Sequence, residues 1–319
     1  MPRVCIGLPV YNGENYLAAT IESILGQSFE DFELIISDNA SIDSTGDISR
    51  SYARQDARIR YVRQSHNLGA IANYNAVFGM ADCEYFKWAA HDDLLAPRFL
   101  EECIHALDSN PSTVLASPRT VLIDNWGEPL HYSEDKQCLA DDQGRLYPAL
   151  PEKNSALASR DPVVRFDALV FRTFLCVEIF GLIRKSVADR IPRQRAYLGS
   201  DKVFLARLCL EGPFWMGSEP LFFRRCHAQQ FSAASISGRF RARWFGTGSS
   251  LTHGIFAEKL AFWADYIDSV NKAPLTLSQR FACTAIVTRR AMLRGQIWWR
   301  TKSLEGLYRS NFGGTIKRV

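Results

Sequence analysis

Carboxylates cluster in this chain at points where apolar runs break off. Asp92 and Asp93 follow the run Tyr85–Ala89, and Asp38 closes the run Phe32–Ser37. Two adjacent carboxylates within about 4 Å repel unless water solvates them or a cation sits between them. Asp92 and Asp93 could therefore hold Mg²⁺ or Mn²⁺, with substrate phosphates filling the remaining positions. The same pair also suits an ordinary solvated turn ahead of the helix expected from Pro97. Asp38 could accept from a nucleobase N–H or a ribose hydroxyl, and Tyr11 could stack on a base. Asp43 and Ser44 stand where a helix cap belongs.

These residues need a frame, and the first hundred positions supply a clear one. Strand-like runs at Val4–Pro9, Phe32–Ser37, Ile59–Arg63 and Tyr85–Ala89 alternate with helical patterns over Asn15–Gln27, Thr45–Arg54, Ala70–Met80 and Pro97–Leu107. Such alternation predicts right-handed βαβ units and a mainly parallel sheet covered on both faces. Ligands of such sheets bind where the strands end. The four loops found there are all polar: Pro9-Val10-Tyr11-Asn12-Gly13-Glu14, Asp38 to Thr45, His66-Asn67-Leu68-Gly69 and His91-Asp92-Asp93. Farther on, Val114–Ile123 and Pro220–Cys226 read as strands and Asp201–Leu210 as a helix. Residues 133–162 read as a mobile loop, 232–250 as a Ser/Gly-rich hinge and 251–309 as helical.

Composition narrows the classes. The chain has 319 residues, 38 basic against 34 acidic, and 47% hydrophobic. That is ample for a core, and too balanced in charge for a general nucleic-acid binder. No apolar run reaches the roughly 18 residues of a membrane span. The opening residues run straight into a strand-like stretch with no signal-peptide pattern. Eight scattered cysteines, with no CxxC pair, read as reduced thiols of a cytoplasmic protein.

Taken together, Leu8-Pro9-Val10-Tyr11-Asn12, Ile35 through Thr45, His66-Asn67-Leu68-Gly69 and Trp88 through Asp93 resemble the family 2 glycosyltransferases of GT-A fold. The resemblance covers about residues 3–230. It implies an α/β fold, a Rossmann-like mixed and mainly parallel sheet flanked by helices, with a helical C-terminal extension. The expected division is a catalytic domain over 1–230 (nucleotide-binding half 1–110, acceptor-side half 111–230) and a helical region over 231–319. The resemblance further implies transfer of a sugar, with inversion, from a UDP-, GDP- or dTDP-linked donor to a saccharide or lipid-linked acceptor, in cell-surface polysaccharide or glycolipid synthesis. Pro9, Tyr11, Asn12, Asp38, Asn67 and Gly69 would line the nucleotide pocket, with Asp38 facing the base. Asp92 and Asp93 would hold Mg²⁺ or Mn²⁺ against the diphosphate. Asp201, in Gly199-Ser200-Asp201-Lys202, would be the general base. Arg225 and His227, in Arg224-Arg225-Cys226-His227, would close over the diphosphate or add a metal ligand.

Read without the family, Asp201 is a first-turn acid favoured by the helix dipole, and the two arginines lie on a solvated strand edge. The chain departs from the family pattern at Ala90, where many members carry an acid, and at Asn39, where many carry Asp. Two other readings stay open: a nucleotide-sugar-binding protein without turnover, and a sugar nucleotidyltransferase. The second lacks its Gly-rich, Lys/Arg-containing loop after the first strand, and a dinucleotide oxidoreductase would need a G-x-G-x-x-G that is absent. Finally, 280–319 carries nine Lys/Arg against the single acid Glu305, interleaved with apolar residues including Trp298 and Trp299. Such a stretch suits an anionic membrane surface, hence a peripheral position at the inner face of the cell membrane, or a helix packed on the catalytic domain.

Overall fold

The computed structural model describes residues 1–141, 143–147, 155–173, 175–227 and 255–293. Its first strand, Val4–Val10 (β1), is buried along its whole length, as a central strand covered by helices on both faces must be. Then follow α1 (Leu17–Leu25), β2 (Phe32–Asp38), α2 (Thr45–Gln55), β3 (Ile59–Arg63), α3 (Ala70–Gly79) and β4 (Tyr85–Trp88). The next elements are β5 (Leu94–Leu95), α4 (Phe99–Ser109) and β6 (Leu115–Ile123). Three short strands, β7 (His131–Ser133), β8 (Cys138–Ala140) and β9 (Leu146–Tyr147), precede α5 (Pro162–Arg172). Then come β10 (Leu182–Arg184), α6 (Lys185–Ala188), α7 (Ser200–Glu211), β11 (Phe214–Arg225) and α8 (Ile255–Lys272). A further helix, α9, is described over 277–293.

Eight strands form one sheet in the order β3-β2-β1-β4-β10-β6-β11-β5. β1, β2, β3 and β4 run parallel, as do β6 and β11, whereas β10 and β5 run against their neighbours. The mixed, mainly parallel sheet is thus as expected. Alternation along β1 divides the core. Val4, Ile6, Leu8 and Val10 pack with Leu17, Ile21, Ile24, Phe99 and Cys103 of α1 and α4. Cys5 faces the other cluster, with Val77 and Phe78 of α3, Phe166 of α5, Phe204 of α7, and Tyr266, Val270, Cys283 and Val287 of α8 and α9. Position 7 lies on this second face and is a glycine because a side chain there would meet the Phe86 ring at 2.8 Å.

Two expectations change. The stretch 133–162 is not wholly loop: β7, β8 and β9 form a small antiparallel sheet from which Leu139 and Tyr147 pack on Leu122, Leu130 and Cys226. The sequence reading also assigns nothing over 163–179, where α5 starts on a sound cap. Asp161 accepts the Val163 amide at 2.8 Å and Pro162 occupies the first turn. The hinge expected at 232–250 and the tryptophans at 298–299 lie outside the described residues. Within the basic stretch, Arg280 donates to the Val270 and Ala273 carbonyls at the end of α8, and Arg289 and Arg290 stack on Phe171. Leu277, Phe281 and Met292 stay exposed. All eight cysteines are free thiols, and no helix among the described residues is long and apolar enough to cross a membrane.

Lys87 of β4 is fully buried between Phe99 and Phe222. Its Nζ donates to the Phe180 carbonyl, tying β4 to the turn before β10. Burial lowers its pKa to about 7, with the Cys103 and Asp93 charges opposing. A lysine depressed in the fold binds fewer protons there than in the unfolded chain between pH 7 and about 10, so it favours the fold increasingly as pH rises through that window. Relative to Lys87→Met, the wild type should gain up to about 1.4 kcal/mol per pH unit across it. Denaturant unfolding of both proteins at several pH values checks this, and parallel curves would refute it.

Candidate functional site

The parallel pairing brings the four polar loops to one edge. Val10 lies opposite Asp38, and Gly7 opposite Trp88, so the loops after β1, β2 and β4 emerge side by side. The β1 loop joins the others. Asn12, held at φ +52°, donates its amide to Ser41 Oγ at 3.0 Å and accepts the Ile42 amide at 2.9 Å. Gly13 donates to Thr45 Oγ1 at 2.8 Å and sits so tightly on His91 that a Cβ would meet the imidazole at 2.6 Å. Thr20 Oγ1 bonds the carbonyls of His91 and Asp93, both at 2.9 Å.

Asn39 explains its own departure from the family pattern. Its Nδ2 donates to Asn67 Oδ1 at 2.9 Å while its Oδ1 accepts the Leu68 amide at 2.8 Å, a pairing that needs both ends of an amide. Asn67 Oδ1 also accepts the Gly69 amide at 2.8 Å, and Gly69 opens α3 at φ +85°. Pro9 is buried at the end of β1, and Tyr11 is half-buried just beyond it.

Asp38, expected to face a base, sits at the end of β2. It is wholly buried, and its carboxylate accepts from the Ser41 amide (2.8 Å), Tyr61 Oη (2.7 Å) and Arg63 Nη1 (2.7 Å). Both oxygens are therefore engaged within the fold. Tyr61 and Arg63, two apart on β3, were not singled out in the sequence, although their one-sided spacing along a strand leading toward this edge was visible.

Asp92 and Asp93 are both buried. Asp92 Oδ2 meets His227 Nε2 at 2.8 Å, and Asp93 Oδ1 accepts the Arg225 amide at 2.9 Å. The end of β11 is thus clasped onto the acidic loop. Burial and the neighbouring Asp92 charge push the Asp93 carboxyl well above the usual range. Burial acts on Asp92 too, but His91 and His227 outweigh it and hold that carboxyl low. One oxygen of each carboxylate is engaged by the protein. The remaining oxygens, the strain between two like charges and the adjacent imidazole form a hard donor set that suits Mg²⁺ or Mn²⁺ completed by phosphate oxygens. No group of three or more His, Cys, Asp and Glu able to hold a metal unaided occurs among the described residues.

Arg225 is built into this clasp. Its Nε donates to the Asp92 carbonyl at 2.9 Å, and its Nη1 donates to the Asp124 and Asn125 carbonyls at 3.0 and 2.9 Å. Its guanidinium lies 4.8 Å over the Tyr16 ring, whose other neighbour is His227 at 5.0 Å. Tyr16 carried no signal in the sequence. Arg224 is half-buried, and its charge acts on both Asp93 and Asp201.

Asp201 lies in the first turn of α7, after Gly199 at φ +88°, a conformation that favours glycine. Its Oδ1 accepts the Lys202 amide at 2.8 Å. Burial pushes its carboxyl up, against that amide bond and the Lys202 and Arg224 charges. Burial raises the pKa of the Tyr74 hydroxyl of α3, and the charges of Asp92, Asp93 and Asp201 add to that rise. The adjacent Asp92 and Asp93, and Asp201 more than 100 positions later, thus all act on one tyrosine.

Residues 5–178 match the family model of glycosyl transferase family 2. An uncharacterized glycosyltransferase of Rickettsia typhi is 33% identical over 137 residues, covering 43% of this chain and 42% of that protein. The EpsE protein of Bacillus subtilis is 33% identical over 127 residues, covering 40% of this chain and 46% of that protein. The matched part is less than half the length of either relative. Among solved structures, S. aureus TarS in complex with UDP-GlcNAc superposes with a TM-score of 0.62 at 14% identity, covering 90% of this chain and 72% of that one. The mannosyltransferase PcManGT of Pyrobaculum calidifontis, in complex with GDP-Man and Mn²⁺, gives a TM-score of 0.50 at 13% identity, covering 97% and 81%. At such identities these two attest the fold. The match to the family model spans more than half of the sequence, and the chain belongs to glycosyl transferase family 2.

Proposed function

We propose that this chain is an inverting glycosyltransferase that moves a sugar from a nucleotide-diphospho-sugar to an acceptor hydroxyl. What supports this reading is the clasp at the carboxyl edge of the sheet, where Asp92 meets His227 at 2.8 Å and Asp93 accepts the Arg225 amide at 2.9 Å, in a chain of glycosyl transferase family 2. Structural neighbours in complex with UDP-GlcNAc and with GDP-Man support the donor class.

In this reading Pro9, Tyr11, Asn12, Asn67 and Gly69 surround the nucleoside, and Asp38 braces the pocket from below. Asp201 takes the proton of the acceptor hydroxyl as its oxygen attacks the anomeric carbon. The bond from that carbon to the diphosphate breaks on the opposite face, which inverts the centre. Its raised pKa suits a general base, whose contribution is about 10²- to 10⁴-fold. Arg224 offers positive charge to the departing diphosphate, while Arg225 keeps the loop that carries Asp92 and Asp93 in place. Asp92, Asp93 and His227 would hold Mg²⁺ or Mn²⁺, which neutralises diphosphate charge when bound. The acceptor is a saccharide or lipid-linked saccharide, and the exposed Leu277, Phe281 and Met292 beside a basic stretch support a position at an anionic membrane surface.

A thermal-shift panel of UDP-, GDP- and dTDP-sugars with Mn²⁺, followed by assay of nucleoside diphosphate release, tests the activity. One nucleotide class should stabilise the protein and be turned over; no shift and no release with any of them refutes the proposal. Asp201→Asn should bind the donor as the wild type does while turnover falls about 10²- to 10⁴-fold. A variant keeping most of its rate would remove Asp201 from the reaction. In the wild type, turnover should drop as pH falls through the raised Asp201 pKa, because only the carboxylate can take the proton. Asp93→Asn keeps an acceptor for the Arg225 amide and relieves the like-charge strain, so it should fold. By calorimetry, Mn²⁺ should tighten nucleoside diphosphate binding to the wild type and much less to this variant. Identical binding to the wild type with and without Mn²⁺ rejects the metal site.

A further inference from the structure

The tryptophans among the described residues sit in unlike surroundings. Trp88 is buried, Trp215 and Trp263 are half-buried, and Trp126 is 84% exposed. Trp126 stands in the turn that follows β6. Because β10 runs against both β4 and β6, β6 points the same way as β4. Its turn therefore emerges at the edge of the sheet that carries Asp92 and Asp93.

The backbone of this turn is pinned. Asp124 Oδ1 accepts the Trp126 and Glu128 amides at 2.8 and 2.9 Å, and the Asp124 amide donates to the Glu128 carbonyl at 2.8 Å. Gly127 supplies a φ of +97° for the reversal. From β11, the Cys226 amide donates to the Ile123 carbonyl at 2.8 Å, and Arg225 Nη1 donates to the Asp124 and Asn125 carbonyls at 3.0 and 2.9 Å. The same guanidinium reaches the Asp92 carbonyl through Nε at 2.9 Å. One side chain thus joins the acidic loop to the residue preceding Trp126. A single exposed apolar side chain is ordinary on a protein surface. An indole held in water by a backbone locked to the acidic loop is a built feature.

Strand order indicates what the indole can meet. The loops assigned to the nucleoside follow β1, β2 and β3, and the acidic loop follows β4. The Trp126 turn follows β6, two strands farther on, which is roughly 10 Å at the usual strand spacing. A donor with its nucleoside over β1 to β3 and its diphosphate at Asp92 and Asp93 directs its sugar toward that side. Trp126 is open to solvent there, so a molecule arriving from outside can reach it. A pyranose presents a face of C–H groups, apolar and slightly positive, that complements the negative face of an indole. The indole has only two side-chain torsions to fix, so it gives contact area at little cost in entropy.

We propose that Trp126 is a stacking platform for the acceptor saccharide, placed beside the acidic loop on the side away from the nucleoside. This rests on the glycosyltransferase reading and extends it to a residue outside the nucleotide, metal and base positions.

Trp126→Ala removes the platform, and Trp126→Phe keeps a smaller ring. Both should melt within about two degrees of the wild type, since the side chain stands in solvent. Calorimetry with cellobiose, lactose, chitobiose and mannobiose, in the presence of nucleoside diphosphate and Mn²⁺, reads the platform directly. At least one disaccharide should bind the wild type, about tenfold more weakly Trp126→Ala, and with intermediate affinity Trp126→Phe. In transfer assays KM for that saccharide should rise by the same factor, while nucleotide-sugar binding and hydrolysis stay level. No disaccharide binding by the wild type, equal affinity in Trp126→Ala, or a melting temperature several degrees lower in that variant overturns the platform alone. A wild type that turns over no nucleotide-sugar overturns the transferase reading and the acceptor role with it.

Discussion

Two neighbouring carboxylates buried at a sheet edge set the terms for everything around them. Asp92 and Asp93 cannot both hold full charge in a dry loop without compensation, and the chain supplies it from more than 130 positions away. The Arg225 amide reaches Asp93 and the His227 ring reaches Asp92. Arg225 extends the clasp to the turn at Asp124 and Asn125 and to the Tyr16 ring. The last residues of β11 are therefore not a free strand edge. They join the loops after β1, β2 and β4 to the second half of the sheet.

How much of this could be read from the residues alone follows from how far each effect travels. β1 through β4 were legible because a strand buried on both faces must be apolar throughout, and the polar loops between them stand out against it. Asp201 was legible only through the family likeness, since a first-turn acid has an ordinary reason to exist. Asp38 was found as a residue but not in its setting. Its partners Tyr61 and Arg63 lie on another strand, and a sequence does not say that three donors will occupy one carboxylate. The antiparallel β10, three residues long, is too short to show a period.

The C-terminal helices pack into the main apolar cluster rather than hanging from it. Asp265 of α8 accepts from Tyr197 Oη at 2.5 Å and from Arg195 Nη1 at 3.0 Å, and so fastens the loop that enters α7. Arg207 of α7 donates to Ser269 Oγ at 3.2 Å. Tyr266 and Val270 sit in the same apolar cluster as Phe166 and Phe204.

That packing has an outcome for how such a chain can diversify. The backbone at Gly199, turned left-handed just before Asp201, lies against the Phe262 ring so closely that a single methyl would touch it at 3.0 Å. The backbone before Asp201 is thus moulded by a helix beyond the stretch that matches the family model, which stops at residue 178. A change at this one aromatic of the C-terminal helices can therefore reset the backbone ahead of Asp201 while the loops after β1 to β4 keep their own bonds.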